Sequence, residues 1–338
     1  MILAKLVRRL IAAAFASAAV TVAAGAQTLD KVSFGTNWVA EAEHGGFYQA
    51  LADGTYRKYG LDVTIVPGGP QVNNRILVPV GKMDFVMIAG TLQAFDAVVQ
   101  DIPTVSIAAM FQRDPQVLLA HPSQADTFED LKKLTLLVSA EGMVNYFQWL
   151  KADHGFREQQ VKPYTFNPQP FLADKRTAMQ GYVTSEPHAV AKQGGFKPKV
   201  FLLADYGYDT YSTLIEARRE LVERKPELVQ RFVDASIIGW YNYLYGDNKA
   251  ANALIKMHNP EMADELLAYS VATMKEHGIV DSGDARELGI GAMTDARMKS
   301  FFDKMVRAGV VKANLDYRKA YMLQFVNRRV GIELKSRN

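Results

Sequence analysis

Residues 37–50 read Asn-Trp-Val-Ala-Glu-Ala-Glu-His-Gly-Gly-Phe-Tyr-Gln-Ala, and this stretch decides the fold of the chain. The alternating run at 31–36 before it predicts a strand, and apolar residues at 47–51 recur at helical spacing. Strand alternation resumes at 61–66. The sequence therefore predicts a strand, a loop with a Trp, two Glu and a His, a helix and a second strand. A loop at the carboxyl end of a strand in an open α/β sheet faces the ligand crevice, so we expect these side chains near a ligand.

The alternation of strands and helices continues along the chain in two series. The first predicts strands at 31–36, 61–66, 83–88 and 104–110, with helices at 44–58, 72–80 and 91–99. The second predicts strands at 116–120, 134–138, 162–165 and 180–183, with helices at 143–153 and 170–178. Such alternation is typical of parallel sheets with right-handed crossovers, so we expect an α/β fold with two lobes.

The remainder of the chain indicates how the two lobes are connected. The sequence Phe111-Gln112-Arg113-Asp114-Pro115 interrupts the first series, and strand character returns at 201–204 and 212–215. We therefore expect the chain to cross between lobes near 111–116 and again near 205–211. A mostly helical tail should then rejoin the first lobe, with helices at 226–245, 249–257, 261–276, 294–308 and 317–321.

Several segments carry a resemblance to a known family. They are residues 37–63, Gly81-Lys82-Met83-Asp84-Phe85, Tyr182-Val183-Thr184-Ser185-Glu186-Pro187, and Lys225-Pro226-Glu227-Leu228-Val229 followed by Gly239-Trp240. In this order and spacing they resemble the substrate-binding proteins of ABC importers over roughly residues 31–330. The most similar group is the thiamine-pyrimidine-synthase-like family, which includes sulfonate, taurine and riboflavin binders.

The resemblance implies a two-lobe periplasmic-binding-protein fold of type II, with a hinge and a helical C-terminal tail. On this basis residues 27–112 form the first part of lobe one and 113–208 form lobe two, while 209–338 return to lobe one and form the tail. The resemblance also implies a receptor that binds a small-molecule ligand and delivers it to an ABC permease in the inner membrane. We expect such a receptor to be a monomer.

The N-terminal residues 1–26 predict a secretory signal peptide. Lys5, Arg8 and Arg9 precede an apolar run, and Ala24-Gly25-Ala26 offers small residues for cleavage before Gln27. A membrane anchor is the alternative, although it needs about 20 apolar residues. The chain has no cysteine, which excludes a lipid-anchored lipoprotein, disulfides and Cys-based metal sites. We expect the mature protein in the periplasm.

The net charge excludes some classes of partner. The formal charge of the chain is +3, and removal of a leader with three basic residues and no acidic residue would bring it to 0 (3 − 3). A neutral mature chain argues against nucleic acid or an acidic membrane surface as partner.

Candidate ligand-binding residues follow the first and third predicted strands. Asn37 ends the first strand, Trp38 could stack a flat heterocycle, and His44 could hydrogen-bond a ligand near neutral pH. Trp38 could instead be a core or lobe-interface residue, and His44 could serve only to cap its helix. Gly90 ends the third strand and opens a helix whose amide groups point outward, which suits a polar ligand group or an ordinary cap. Glu41 and Glu43 are most simply solvated carboxylates near a helix N-terminus.

A second group of candidates lies in lobe two and at the second crossing. Tyr182 ends a strand, and Glu186 begins the next helix, where it could accept hydrogen bonds from an aminopyrimidine-like edge or only serve the helix dipole. Asp205 and Tyr208 lie on the second crossing and could line the crevice or pack its seam. With Glu41, Glu186 and Asp205 the crevice is expected to be acidic. This disfavours nitrate, phosphate or a sulfonate and favours a neutral or amine-bearing ligand.

Two functions are compatible with these features. The first is a periplasmic receptor for a small aromatic or heterocyclic solute, similar to a thiamine pyrimidine or a riboflavin-type ring. The alternative, implied by the same resemblance, is a thiamine pyrimidine synthase that makes hydroxymethylpyrimidine phosphate from histidine and pyridoxal phosphate with iron. Those enzymes carry a catalytic His and a pyridoxal-binding Lys just after the Gly-Lys-x-Asp motif, and this chain has neither in residues 86–92. We therefore expect a binding protein without metal, cofactor or catalytic residues.

Overall fold

The computed structural model describes residues 28–69 and 72–337, and their backbone forms two five-stranded sheets. The predicted leader at 1–26 lies outside the described residues. The strands are β1 Asp30–Gly35, β2 Leu61–Val66, β3 Phe85–Gly90, β4 Thr104–Phe111, β5 Gln116–Ala120, β6 Thr135–Val138, β7 Val161–Pro163, β8 Thr177–Tyr182, β9 Lys199–Leu202 and β10 Ser212–Arg218.

The α-helices cover both sheets and form most of the C-terminal part. They are α1 Gly45–Ala52, α2 Thr55–Lys58, α3 Thr91–Val99, α4 Ala140–Val144, α5 Tyr146–His154, α6 Gln169–Ala173, α7 Glu186–Gly194, α8 Arg219–Arg224, α9 Pro226–Tyr245, α10 Lys249–His258, α11 Asp264–Glu276, α12 Ala285–Leu288 and α13 Asp295–Arg307. Short 3-10 helices lie at Ala42–His44, Asn74–Leu77, Phe128–Lys133, Glu158–Gln160, Leu203–Tyr206, Tyr317–Ala320 and Ile332–Arg337. Within the described residues, no helix is both long and apolar enough to cross a membrane.

Each sheet is mixed, which corrects the prediction of parallel sheets. The first sheet, which we call lobe one with its helices, has the order β2-β1-β3-β10-β4, and β10 runs antiparallel to both neighbours. The second, lobe two, has the order β7-β6-β8-β5-β9, and β5 runs antiparallel to both neighbours. β5 and β10 each enter directly from the other lobe without the crossover helix that a parallel connection requires.

Several predicted helices are wrong in length or type. The helix predicted at 170–178 ends at Ala173, because Thr177 already begins β8, and the one predicted at 317–321 is the 3-10 helix Tyr317–Ala320. The helix predicted at 44–58 is interrupted at Asp53 and Gly54, because the Asp53 carboxylate accepts a hydrogen bond from the Thr55 amide and Gly54 has a φ of +73°. A left-handed residue of this kind ends one helix before the next begins. The helix predicted at 72–80 contains only the 3-10 helix Asn74–Leu77.

The glycine pair in the opening stretch has a packing role. A Cβ atom on Gly45 would lie 2.0 Å from the Tyr243 ring, and one on Gly46 would lie 2.2 Å from the Trp240 ring. A Cβ atom on Gly239 would meet the carbonyl oxygen of Gly46 at 2.2 Å. These glycines therefore let α1 and α9 pack closely. Trp240 and Tyr243 are fully buried, which confirms that the aromatic residues of α9 serve the core.

Segments of the C-terminal part hydrogen-bond to the backbone of lobe one. The amide of Ala109 in β4 donates to the carbonyl of Gly291, and the amide of Met322 donates to the carbonyl of Ser106 in the same strand. The two segments that connect the lobes are also held from this side, because the Arg297 guanidinium in α13 donates to carbonyls in both. The hinge is thus anchored to lobe one.

Candidate functional site

A cavity of about 660 Å³ lies between the two lobes, at the ends of strands from both sheets. Six of the predicted ligand-binding residues line it, namely Asn37, Trp38, Gly90, Tyr182, Glu186 and Tyr208. His44 and Asp205 are not among the lining residues. Residues that are more than 170 positions apart in the chain therefore face one cavity, as the two-lobe arrangement leads us to expect.

The lobe-one wall is held rigidly by backbone hydrogen bonds. The carbonyl oxygen of Trp38 accepts from the Thr36 hydroxyl at 2.7 Å and from the Gly68 amide at 3.0 Å. Next to it, the side-chain oxygen of Asn37 is buried and has no hydrogen-bond partner among the described residues. A buried acceptor without a partner is costly, so Asn37 is well suited to receive a hydrogen bond from a ligand.

At two helix N-termini beside the cavity, one first-turn amide is bound by the protein itself. After Gly90, the Thr91 amide donates to the carbonyl of Tyr211 at 3.2 Å. In lobe two, the Ser139 hydroxyl caps α4 by accepting from the Gly142 amide at 3.1 Å. Both positions therefore behave as helix caps, which was one of the two interpretations of Gly90.

Glu186 is positioned by its own turn at the start of α7. One carboxylate oxygen accepts from the Tyr182 amide at 2.6 Å and from the Ser185 hydroxyl. A Cβ atom on Gly181 would lie only 2.6 Å from the Glu186 side chain, so the glycine allows this close approach. Burial raises the pKa of the Glu186 carboxyl.

Three further carboxyl groups line the cavity, those of Glu41, Asp114 and Glu141. Burial raises the pKa of all three, and for Glu41 the neighbouring carboxylates Glu43 and Glu186 raise it further. The pKa of Asp114 rises to about 6. Each of these groups would be stabilised as an anion by a hydrogen-bond donor or a positive charge inside the cavity.

The acidic character is not balanced by an unpaired base. Arg75 is the one basic side chain among the described residues that line the cavity. Its guanidinium donates to both carboxylate oxygens of Glu216, at 2.9 and 3.1 Å, and to the carbonyl of Gln93. The described lining of the cavity thus has more acidic side chains than unpaired basic ones.

Aromatic and amide groups complete the lining. The Tyr208 hydroxyl donates to the side-chain oxygen of Asn145 at 2.6 Å. The side-chain oxygen of Gln180 accepts from the Ser139 amide at 2.6 Å and from the Tyr146 hydroxyl at 2.9 Å, so its orientation is set within lobe two.

Sequence reasoning missed several lining residues. Asp114 belongs to the segment that was interpreted only as a chain crossing, and a charged residue at a crossing is a signal that could have identified it. Glu141 lies just before the helix predicted at 143–153 and was not among the predicted ligand-binding residues. Gln180, Tyr164 and Phe166 gave no local signal, because a strand interior and a loop do not indicate which lobe they face.

His44 lies outside the cavity lining and is fully buried. Neither ring nitrogen has a hydrogen-bond partner in the part of the chain that the structure describes, and Nε2 lies 3.7 Å from a carboxylate oxygen of Glu41. Burial lowers the pKa of His44 to about 3, so the ring is neutral at physiological pH. The ring does not cap its helix either.

Asp205 and Glu43 have roles that the sequence did not indicate. The Asp205 carboxylate forms an ion pair with Arg113, which joins the two segments that connect the lobes. Glu43 is only 3% exposed, so its interpretation as a solvated carboxylate is wrong. It accepts a hydrogen bond from the hydroxyl of Thr184 in lobe two and thereby links the lobes below the cavity.

No metal site is evident among the described residues, in which His, Asp and Glu form no group of three or more suited to a metal ion. The stretch at 86–92 forms most of β3 and the start of α3.

Comparisons with known proteins agree with this architecture. A family model described as "NMT1/THI5 like" matches residues 41–251. The riboflavin-binding protein RibY of Chloroflexus aurantiacus is 23% identical over 311 residues, which are 88% of this chain and 87% of that protein.

Solved structures with the same fold include two periplasmic binding proteins. The aliphatic sulphonate binding protein SsuA from Escherichia coli has a TM-score of 0.60 and 15% identity, over 86% of this chain and 91% of that chain. The nitrate-binding protein NrtA from Synechocystis PCC 6803 has a TM-score of 0.55 and 13% identity, over 86% of this chain and 84% of that chain. The fold is therefore the α/β periplasmic-binding-protein fold.

Proposed function

The chain belongs to the NMT1/THI5-like family, and we propose that it is the solute-binding component of an ABC importer. It would bind a small aromatic or heterocyclic solute between its lobes and present it to a permease in the inner membrane. The observation that carries the proposal is the cavity of about 660 Å³ between two lobes that are joined by two short connections. Closure of two lobes around a ligand is an established mode of domain movement.

The charge of the cavity supports a ligand that presents hydrogen-bond donors or a positive charge. Glu41, Asp114, Glu141 and Glu186 face the same space, and Arg75 is already paired with Glu216. An anion placed beside these carboxylates would be buried without a compensating charge. Sulfonate- and nitrate-binding proteins share the fold, yet the lining of this cavity favours an aminopyrimidine-like or flavin-like ring.

The proposed ligand contacts are divided between the lobes. Asn37 would accept a hydrogen bond and Trp38 would stack on the ring from lobe one. Tyr182 and Glu186 would contact it from lobe two, with the Glu186 carboxylate accepting from an amino group. Gly90 and Tyr208 would complete the lining, while His44 and Asp205 would act indirectly through packing and through the hinge.

The compartment and the partners follow from the same proposal. The relatives described above include periplasmic binding proteins, and the sequence of residues 1–26 has the pattern of a cleavable leader. We therefore place the mature protein in the periplasm as a monomer that delivers its ligand to an ABC permease.

Native mass spectrometry of protein purified from its host is the direct test. We expect a co-purified solute with a flat ring and at least one amino or imino donor. A thermal-shift screen with riboflavin, 4-amino-5-hydroxymethyl-2-methylpyrimidine, taurine and nitrate would follow, and only the first two should raise the unfolding temperature. Stabilisation by taurine or nitrate alone would contradict the proposed ligand class.

Substitution of Glu186 tests its proposed role with a matched control. Glu186→Gln keeps one acceptor but removes the charge, and it should weaken binding of the aminopyrimidine by about 1.5–3 kcal/mol, the range for hydrogen bonds to charged groups. Glu227 is also a glutamate in the first turn of a helix, α9, and it is likewise next to a proline. It is exposed and does not line the cavity. Glu227→Gln should leave affinity unchanged in calorimetry. Equal affinities for the wild type and both variants would restrict Glu186 to a role in its helix.

A further inference from the structure

Two aromatic rings from opposite lobes touch at the cavity. Trp38 of lobe one and Phe166 of lobe two both line it, and their ring centroids lie 5.2 Å apart with an interplanar angle of 43°. Phe166 is 55% exposed, which is unusual for a large apolar side chain. The mutual contact thus brings together two apolar surfaces that are otherwise open to the cavity and to solvent.

The backbone of Phe166 is strained. Its φ is +62°, a left-handed conformation that is a genuine outlier for a bulky residue. The loop is anchored on both sides, because the Tyr164 amide donates to the Val138 carbonyl at 3.0 Å and the Asn167 side chain accepts from the Gln169 amide at 3.0 Å. Strained residues of this kind persist where the surrounding structure holds them and are concentrated at ligand clamps.

The spacing of the rings is too small for a ligand ring to lie between them. Two stacked contacts at about 3.5 Å each require centroids about 7 Å apart, so the rings must separate by about 2 Å. The backbone of Trp38 is held within lobe one, because its carbonyl oxygen accepts two hydrogen bonds, and Trp38 is partly buried whereas Phe166 is 55% exposed. Phe166 is therefore the ring that moves, by rotation of its side chain or with lobe two.

We propose that Phe166 is the gate of the ligand cavity. In the free protein it rests on Trp38, and in the complex it swings outward and holds a flat ring of the ligand between itself and Trp38. This inference rests on the proposed solute-binding function and deepens it. Phe166 would be the residue that selects flat ring systems over non-planar amines. Loss of the Phe166 ring should mainly increase the rate of ligand release.

The first test needs no ligand. The chain has three tryptophans, of which Trp149 and Trp240 are buried. Subtraction of the fluorescence of a Trp38→Phe variant isolates the signal of Trp38, whose quenching by acrylamide can then be measured. Phe166→Asn removes the ring with a residue that tolerates the left-handed conformation. We expect about a twofold larger quenching constant in Phe166→Asn, because the contact that covers Trp38 is lost.

The control is an aromatic residue of lobe two outside the cavity. Phe196 is partly buried, packs on His121 with ring centroids 4.4 Å apart, and does not line the cavity. Phe196→Leu should leave the quenching of Trp38 unchanged. If circular dichroism shows both variants to be folded and the quenching constant of Phe166→Asn is unchanged, Phe166 does not cover Trp38 in the free protein and the proposal is refuted.

The second test uses proflavine, a flat fluorescent cation that suits an acidic cavity, and cyclohexylamine, a non-planar cation of the same charge. In stopped-flow displacement, Phe166→Asn should release proflavine about three- to tenfold faster than the wild type, the scale of one lost aromatic contact. The affinity for cyclohexylamine should not change. Equal release rates for proflavine would overturn the proposal.

Absence of proflavine binding to the wild type would also refute the proposal that a flat ring is held between Phe166 and Trp38. The receptor function would not fall with it, because the identity of a co-purified solute tests that function separately. Loss of affinity for both probes in Phe166→Asn would assign the residue a general structural role instead of selection for flat rings.

Discussion

Asp114 offers a quantitative test of the charge inside the cavity. It lies where the chain leaves lobe one, it is 9% exposed, and one of its oxygens accepts from the Gln116 amide at 2.9 Å. Burial raises its pKa from 3.8 to about 6. We predict that Asp114→Asn stabilises the ligand-free protein at neutral pH, because the amide keeps an acceptor for Gln116 and removes a buried charge.

The magnitude follows from the difference in proton affinity between the folded and unfolded chains. A pKa raised on folding means that the folded protein binds the proton more tightly than the unfolded chain, so the benefit is complete below pH 3.8 and is lost as the pH rises to about 6. At pH 7 the ionised, buried Asp114 costs about 3 kcal/mol, since each pKa unit corresponds to about 1.4 kcal/mol. At pH 4, where the carboxyl is protonated in the folded protein, most of this cost is absent.

Guanidinium unfolding at pH 7 and pH 4 would measure both values. Asp153 is an exposed carboxylate on α5, and Asp153→Asn should change the free energy of unfolding by less than about 0.5 kcal/mol at either pH. Asp114→Asn should gain about 3 kcal/mol over the wild type at pH 7 and much less at pH 4. An equal effect at the two pH values, or destabilisation at pH 7, would refute the assignment of Asp114 as an uncompensated buried carboxyl.

Three further predictions concern the pH dependence of binding, the contact between Thr184 and Glu43, and the N-terminal leader. The affinity for an amine ligand should rise about tenfold from pH 5 to pH 7 as Asp114 ionises, and a flat calorimetric profile over this range would contradict a contact with that charge. Thr184→Val removes the donor to the buried Glu43 and should lower the free energy of unfolding by about 1–3 kcal/mol, whereas Thr104→Val, whose hydroxyl has no partner among the described residues, should be nearly neutral. The mature chain should begin near Gln27 in N-terminal sequencing, and membrane-bound protein that retains residue 1 would exclude a cleaved leader.

Local patterns in the sequence were sufficient for most secondary structure. The strand predicted at 61–66 and the helix predicted at 226–245 have the same limits in the structure. Both have strong apolar periodicity. The helix also has a proline in its first turn, which is a local signal for a helix start. Errors occurred where a side chain acted on the backbone, as at Asp53 and Gly54, because such contacts do not change the apolar period.

The candidate site was partly predictable for a related reason. Trp38 and Glu186 were identified because the ends of strands and the starts of helices lie at the crevice of an α/β sheet. Asp114 and Phe166 were not, because one lies in a chain crossing and the other in a loop whose direction depends on the position of the whole of lobe two.

Strand order and the burial of charge depended on contacts between distant parts of the chain. β10 lies between β3 and β4 although about a hundred residues separate it from β4, and no local pattern encodes such a pairing. Glu43 lies in a stretch whose sequence is typical of a solvated loop. In the structure it is buried and accepts a hydrogen bond from the Thr184 hydroxyl of lobe two. Periodicity reports which face of an element is apolar, whereas register between elements and the electrostatics of a cavity arise only when the lobes are packed together.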